Sequence, residues 1–376
     1  MKARLHGRRG KRNEYRKNRN QEHLIESLTQ AYAGKKILVT GHTGFKGSWL
    51  AQWLTMLGAE VKGYALAPEK SVNHFNLLKL DIDSEIADIR DRQQLEKSFS
   101  LFKPDLVFHL AAQPLVRQSY SDPLTTFDTN LMGLVNVLEV ARHCSSVKAF
   151  LNVTSDKCYE NRNIKTGYKE QDPMGGHDPY SASKGCAELI TASYRKSFYE
   201  EAGMVLASAR AGNVVGGGDW SDDRLVPDIM RAIENRTEVH VRRPESTRPW
   251  QHVLEPLRGY LMLGQKMLAG DSSVADGWNF GTTKLEGCSV KEVLSVMQDH
   301  WSAFDVQYSP EEATFHEAEL LQLNSDKAKA ALGWEPLLDT SLTFGLTMSW
   351  YRNFYEEGRI STIQQIENYM SGAVSC

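Results

Sequence analysis

An apolar run, Lys35-Lys36-Ile37-Leu38-Val39-Thr40, leads into Gly41-His42-Thr43-Gly44-Phe45-Lys46-Gly47, whose glycines stand three residues apart. Ser48-Trp49-Leu50-Ala51-Gln52-Trp53-Leu54 then sets apolar residues at helical spacing. This spells strand, tight turn and helix, an order of elements that few folds accommodate. Gly41 permits the tight turn. Gly44 lets backbone N–H groups approach a pyrophosphate at the helix N-terminus, and Gly47 lets the helix lie close on the strand. Gly41, His42, Thr43, Gly44, Phe45 and Gly47 are therefore predicted cofactor contacts.

The same alternation continues along the chain. Strands are expected over 60–66, 86–89, 105–110, 149–153 and 205–209, with helices over 91–102 and 137–143 between them. Strands alternating with helices predict an α/β fold with a Rossmann-like, doubly wound parallel sheet, which binds its ligand at the C-terminal strand ends. Asp88 and Ile89 fall at one such end as adenine-edge candidates. Ala111, Ala112 and Gln113 fall at another, where small residues let a cofactor lie against the backbone. No acid directly follows the second strand. It reads Ala65-Leu66-Ala67-Pro68, with Glu69 beyond, so the choice between NAD and NADP stays open.

A further strand end reads Val153-Thr154-Ser155-Asp156-Lys157-Cys158-Tyr159. It sets a hydroxyl, a carboxylate and an amine side by side. Asp178-Pro179-Tyr180-Ser181-Ala182-Ser183-Lys184 then opens a helix. Tyr180 and Lys184 stand at i and i+4 and share a face. A cationic Lys184 beside Tyr180 is expected to lower the phenol pKa, and Ser155 to hold a substrate oxygen. Together they suit hydride transfer between a sugar hydroxyl carbon and a nicotinamide.

Composition narrows the setting. Of 376 residues, 41% are apolar and 24% charged, without an apolar stretch near membrane-spanning length. Net charge is −3. Residues 1–20 hold nine basic groups and one acid, so the remainder carries −11. An acidic body with a basic tail argues against a dedicated nucleic-acid binder. The tail has no apolar core of a secretory signal. Cys144, Cys158, Cys186, Cys288 and Cys376 form neither a CxxC pair nor a zinc-ligand pattern, so no metal is expected and a reducing cytoplasm fits. The predicted organisation is a basic, disordered extension at 1–33 and a dinucleotide-binding unit at 34–211 with a late return near 253–283. A smaller, mixed and mostly helical C-terminal substrate lobe covers 212–252 and 284–376. A short helix over 21–33 leads into the first strand.

The glycine turn, Ser155, Tyr180 and Lys184 together resemble the extended short-chain dehydrogenase/reductases. Ala111-Ala112-Gln113-Pro114-Leu115-Val116-Arg117, Thr154 to Tyr159, Arg210-Ala211-Gly212-Asn213-Val214-Val215-Gly216-Gly217-Gly218-Asp219-Trp220 and Arg248-Pro249-Trp250-Gln251-His252 narrow the likeness to the nucleotide-sugar 4,6-dehydratases. The pair Asp156-Lys157 points to those members that act on CDP-glucose. The resemblance spans residue 34 to the C-terminus. It implies bound NAD and conversion of CDP-glucose to CDP-4-keto-6-deoxyglucose, for deoxysugar and surface polysaccharide synthesis. It implies that Tyr180 takes the 4-hydroxyl proton, Asp156 protonates the departing 6-hydroxyl and Lys157 removes the C5 proton. An ammonium is no base, so Lys157 must be neutral in some step. Phosphate contacts fall on Asn213, Arg224 and Arg248, and Trp250 or Trp220 either covers the base or packs. A homodimer or homotetramer is implied, through helices over 124–143 and 180–201, with no membrane or nucleic-acid partner. His42 is expected either near the reacting groups or facing solvent; His109, inside an apolar strand, is expected in the core.

Two other readings stay open. An epimerase or reductase on another nucleotide sugar keeps the fold but has no use for Asp156-Lys157. A cofactor-sensing protein using the tail on nucleic acid has no use for the complete Ser-Tyr-Lys set.

Overall fold

The computed structural model describes residues 23–241, 243–282, 287–308 and 321–374. The basic segment 1–20 and Cys376 lie outside these residues. Seven parallel strands form the central sheet: β1 (Lys36–Thr40), β2 (Glu60–Ala65), β3 (Asp83–Ile86), β4 (Leu106–His109), β5 (Ala149–Val153), β6 (Val205–Ala211) and β7 (Gly277–Phe280). Their order is β7-β6-β5-β4-β1-β2-β3. β1 pairs with β2 on one side and β4 on the other, so the chain changes direction across the sheet between β1 and β4. Connections leave that point on opposite faces, which opens a crevice above it. Thr40 fixes the seam: its Oγ1 accepts from Leu110 N and Ala111 N, each at 3.2 Å, and bonds His109 Nδ1 at 2.8 Å. His109 is a core residue.

β1, β4 and β5 are buried on both faces and read as mostly apolar runs. β3 lies elsewhere than expected. It covers Asp83–Ile86, and Asp88 and Ile89 fall in the turn beyond it. The strand is polar because it is an edge. Its carboxylates Asp83 and Glu85 bind Lys62 of β2 at 2.7 and 3.0 Å. A search for apolar runs passes over such a strand.

Helices α1 (Phe45–Met56), α2 (Arg92–Phe102), α3 (Leu134–His143) and α4 (Pro179–Tyr194) cover the sheet. α1 buries residues all round because C-terminal segments cover its outer side. Trp49 Nε1 donates to Gly217 O at 2.9 Å, and the Trp53 ring meets Tyr369 edge-on at 5.8 Å. A Cβ on Gly47 would lie 2.0 Å from Gly41 O, so the close approach of helix to turn requires glycine there. A π-helical stretch, Asp128–Gly133, leads into α3.

Beyond β6, α5 (Leu225–Asn235), α6 (Leu254–Leu268) and α7 (Thr340–Glu357) join short ladders that pair Val214–Val215 with Gln251–His252, Thr247–Arg248 with Cys288–Ser289 and Val239–Val241 with Val306–Tyr308. One apolar cluster runs from the sheet through α6 to α7. Helix Thr362–Ser371 falls within the stretch read as mostly helical, whereas α6 was not anticipated from the sequence. The short helix expected over 21–33 is present in its described part. Residues 23–32 are helical, Leu28 and Tyr32 are buried, and Tyr32 donates to Leu261 O at 2.8 Å.

Candidate active site

The ends of β1, β4, β5 and β6 open into a cleft of about 890 Å³, closed on the far side by residues 212–228, 240–241 and 243–250. At one end lie Ala65, Leu66, Asp88 and Ile89; at the other lie Arg243, Arg248 and Trp250.

The glycine turn forms one wall. Gly41 has φ +76°, and a Cβ there would lie 2.7 Å from Ala111 N. Gly44 ends the turn and begins α1 with no side-chain cap, so the first N–H groups of a 12-residue helix face the cleft. Ala111, Ala112 and Gly212 keep the facing walls low. These residues fit a dinucleotide: the cradle is lined by backbone, and a helix N-terminus is left open for an anion. Thr43, Phe45 and Gly47 line the same wall. Asp88 lies in the cleft with its carboxylate held by Arg90 at 2.6 Å, which lowers its pKa.

Two predicted cofactor residues turn away. His42 is completely buried under β2 and β3, with Nε2 on Ser84 Oγ at 2.7 Å and its ring edge-on to Phe75 at 4.9 Å. A Cβ on Gly63 would lie 2.3 Å from that ring, so β2 makes room for it. Burial pushes the imidazole down to about 4. It faces neither the reacting groups nor solvent. Gln113 is buried too. Its amide donates to Thr126 Oγ1 at 2.8 Å and Leu115 O at 3.1 Å, while its backbone N–H binds Asn130 Oδ1 at 2.8 Å. It braces the loop after β4 from behind.

The opposite wall carries the polar groups. Ser155 caps a single 3₁₀ turn, Asp156–Cys158. Its Oγ accepts from Lys157 N at 3.1 Å and donates to Asp156 Oδ1 at 2.8 Å. Asp156 is buried, and its Oδ2 has no partner among the described residues. A buried carboxylate oxygen left without a donor is costly, and here it borders the cleft. Lys157 lines the cleft beside it.

α4 supplies the remaining pair. Asp178 caps it by accepting from Ser181 N at 2.9 Å, and Pro179 suits the first turn, which sets Tyr180 at the cleft edge. Lys184 Nζ lies 5.9 Å from the Tyr180 ring centroid. Burial brings Lys184 down to about 8, while Glu188 acts against that fall. Tyr180 departs from expectation. Burial pushes its phenol up to about 12, with Ser155 and Arg224 lowering and Asp156 raising it. Burial is the largest influence on the phenol.

Arg224 reaches into the cleft with NH1 on Asp219 Oδ2 at 2.9 Å. Arg248 donates to Thr247 O at 2.9 Å and lines the cleft with Asn213. Trp250 lines it half-buried, edge-on to Phe344 at 6.0 Å. Trp220 also reaches the cleft, but its ring lies against Trp350, Tyr351 and Phe354. Lys46 was overlooked. Burial, with Lys184 and Arg224 nearby, brings it down to about 8. Its signal was visible as a cation inside the glycine turn. Among the described residues, no helix is long and apolar enough to cross a membrane, and no group of His, Cys, Asp and Glu can hold a metal.

Comparison with known proteins agrees with this geometry. The family model described as GDP-mannose 4,6 dehydratase matches residues 38–344. The CDP-glucose 4,6-dehydratase of Salmonella typhimurium is 46% identical over 349 residues, covering 90% of this chain and 97% of its own. The epimerase Mth375 of Methanothermobacter thermautotrophicus superposes with a TM-score of 0.76 at 25% identity, covering 89% of this chain and 96% of its own. The Thermus thermophilus UDP-glucose 4-epimerase, solved with NAD, gives 0.69 at 26% identity, covering 84% and 99%. Glycine turn, parallel sheet and family match converge: the chain belongs to the GDP-mannose 4,6 dehydratase family.

Proposed function

We propose that the chain is an NAD-dependent lyase that converts CDP-glucose to CDP-4-keto-6-deoxyglucose and water. One observation carries the reading. The buried, unpartnered Asp156 Oδ2 and Lys157 stand beside the Ser155–Tyr180–Lys184 group, so an acid/base pair adjoins a hydride-transfer site. Epimerisation at C4 has no use for that pair. The 46% identical relative named for CDP-glucose supports the nucleotide.

The residues divide the work. Bound NAD supplies the acceptor for the C4 hydride and its later donor to C6. Tyr180 takes the proton from the 4-hydroxyl while Ser155 holds that oxygen. The resulting ketone acidifies C5. Lys157, in its neutral form, removes the C5 proton. Asp156 acts as the general acid for the departing 6-hydroxyl, which leaves as water. C5 is reprotonated as C6 is reduced. Arg224 and Arg248 supply positive charge for the pyrophosphate, a planar fork suited to paired phosphate oxygens. Asn213 and Trp250 line the same cleft, as a further polar contact and an aromatic face.

CDP-, dTDP-, UDP- and GDP-linked hexoses, each incubated with and without added NAD, test this directly. The expected result is loss of one water from CDP-glucose alone, read by mass and by the absorbance of the 4-keto product in alkali. Water loss from another nucleotide sugar, or from none, overturns the assignment.

We also propose a homodimer. Leu124, Met132, Leu189 and Phe198 are exposed at 82, 53, 61 and 41% on the helical segments 123–143 and 179–199, large apolar groups that a second copy can cover. Sedimentation equilibrium should give twice the chain mass, and Leu124→Glu with Leu189→Glu should return it to one. A monomeric parent chain refutes the dimer.

A further inference from the structure

Behind the cleft lies a buried ion pair that the mechanism above does not use. Glu188 and Arg210 expose only 4 and 5% of their side chains, with Arg210 NH2 on Glu188 Oε2 at 2.8 Å. Glu188 stands one helical turn beyond Lys184, on the face that carries Tyr180. Its Oε1 accepts from Thr154 Oγ1, and its Oε2 accepts from Ser208 Oγ at 2.6 Å. Arg210 NH1 reaches Tyr159 OH at 2.5 Å, and Tyr159 donates to Asn279 Oδ1 at 2.8 Å. Thr154 and Tyr159 are the residues immediately before and after the turn that holds Ser155, Asp156, Lys157 and Cys158. One ion pair therefore grips both flanks of the elimination turn and is anchored on the hydride-transfer helix.

Buried ion pairs are poor sources of stability, because desolvation offsets their attraction. Their use here is geometric. Oxidation at C4 and elimination across C5–C6 act on neighbouring carbons of one sugar, so the two sets of groups must keep a fixed register. Resting on the dehydratase reading, we propose that Glu188, held by Arg210, is a positioning residue that locks the Ser155–Lys157 turn to the Tyr180–Lys184 helix and keeps Lys184 charged.

Electrostatics agrees with that placement. Burial pushes the Glu188 carboxyl up, yet Arg210, Ser208 and Thr154 bring it below its ordinary value, so it stays ionised. Lys184 is faced by Tyr180 and Glu188 on its own helix, by Cys158 on the 3₁₀ turn, by His109 on β4 and by Lys46 on α1. Glu188 is the group among these that holds a full negative charge. Without it, Lys184 loses its proton at lower pH.

Glu188→Gln tests both parts. Trace acetylation of Lys184 across pH, read by mass spectrometry, follows that lysine's titration without substrate. Its midpoint is expected to fall by about one pH unit. Turnover of CDP-glucose is expected to lose at least about tenfold in kcat with KM within about twofold, and Glu188→Asp should recover part of it. An unmoved Lys184 midpoint, or an unchanged kcat, overturns the proposal. Should Glu188→Gln fail to fold with Arg210 uncompensated, Glu188→Gln with Arg210→Met removes both charges, and a midpoint fall, smaller because the nearby cation goes too, is required of it. If the parent chain does not dehydrate CDP-glucose, the dehydratase reading fails, and the Lys184 midpoint alone then decides this one.

Discussion

Tyr180→Phe is expected to lower turnover by at least about 10³-fold while leaving the fold and cofactor affinity in place. The ring stays in place at the cleft wall; what goes is the oxygen that takes the 4-hydroxyl proton. Titration of tryptophan fluorescence with NAD should give a dissociation constant within about twofold of the parent, and no reduced nicotinamide should form on adding substrate. Rapid formation of reduced nicotinamide in this variant would assign the proton to another group. The parent's pH profile should carry the same signature. Burial pushes the Tyr180 phenol up to about 12, and positive charge brought into the cleft by the cofactor works the other way. The phenolate fraction rises with pH, so the rate of C4 oxidation climbs on the acid side. Lys184, brought down to about 8, must stay protonated to support that phenolate. Above that value each further loss of the ammonium cancels the gain in phenolate, so the rate climbs to about pH 8 and levels off beyond it.

What could be read from the sequence was what neighbouring residues decide together. The glycine turn, the 153–159 strand end and the i, i+4 pair Tyr180–Lys184 are local patterns, and the structure gathers them around one cleft. Positions failed where a distant partner decides the outcome. His42 belongs to the turn in sequence, yet the gap opened by Gly63 on β2 draws its ring beneath the sheet. Gln113 follows two small residues at a strand end, yet Asn130 and Thr126 draw it into the core. β3 was placed three residues late because an edge strand can be polar, and its carboxylates are explained only by Lys62 on the next strand. Tyr180 and Lys184 were placed on one face, but their spacing says nothing about how much water each loses. Burial, which needs the whole fold, reverses the expected direction for the phenol. The lobe was legible as helical and no further. Aromatic contacts such as Trp350 against Trp220 arise between residues far apart in the chain.

Lys157→Ala separates the two halves of the reaction. Tyr180, Lys184 and Ser155 remain, so substrate should still be oxidised at C4, and reduced nicotinamide should accumulate to about one equivalent per site. Water loss should fall by at least about 10³-fold, because a ketone with no base at C5 does not eliminate. Asp156→Asn should block at the same stage for a different reason. Its Oδ2 is a buried atom without a partner among the described residues, the place from which a proton reaches the leaving oxygen, and an amide there has no acidic proton to give. Exchange in deuterated solvent distinguishes the two. With Asp156→Asn the base survives, so C5 should take up deuterium without loss of the 6-hydroxyl; with Lys157→Ala, C5 should keep its proton. Deuterium at C5 in Lys157→Ala, or full turnover in that variant, would move the base to another residue in the cleft. Lys46 would then be the first to test, since burial and its cationic neighbours already bring it down to about 8 and so make its neutral form accessible near neutral pH.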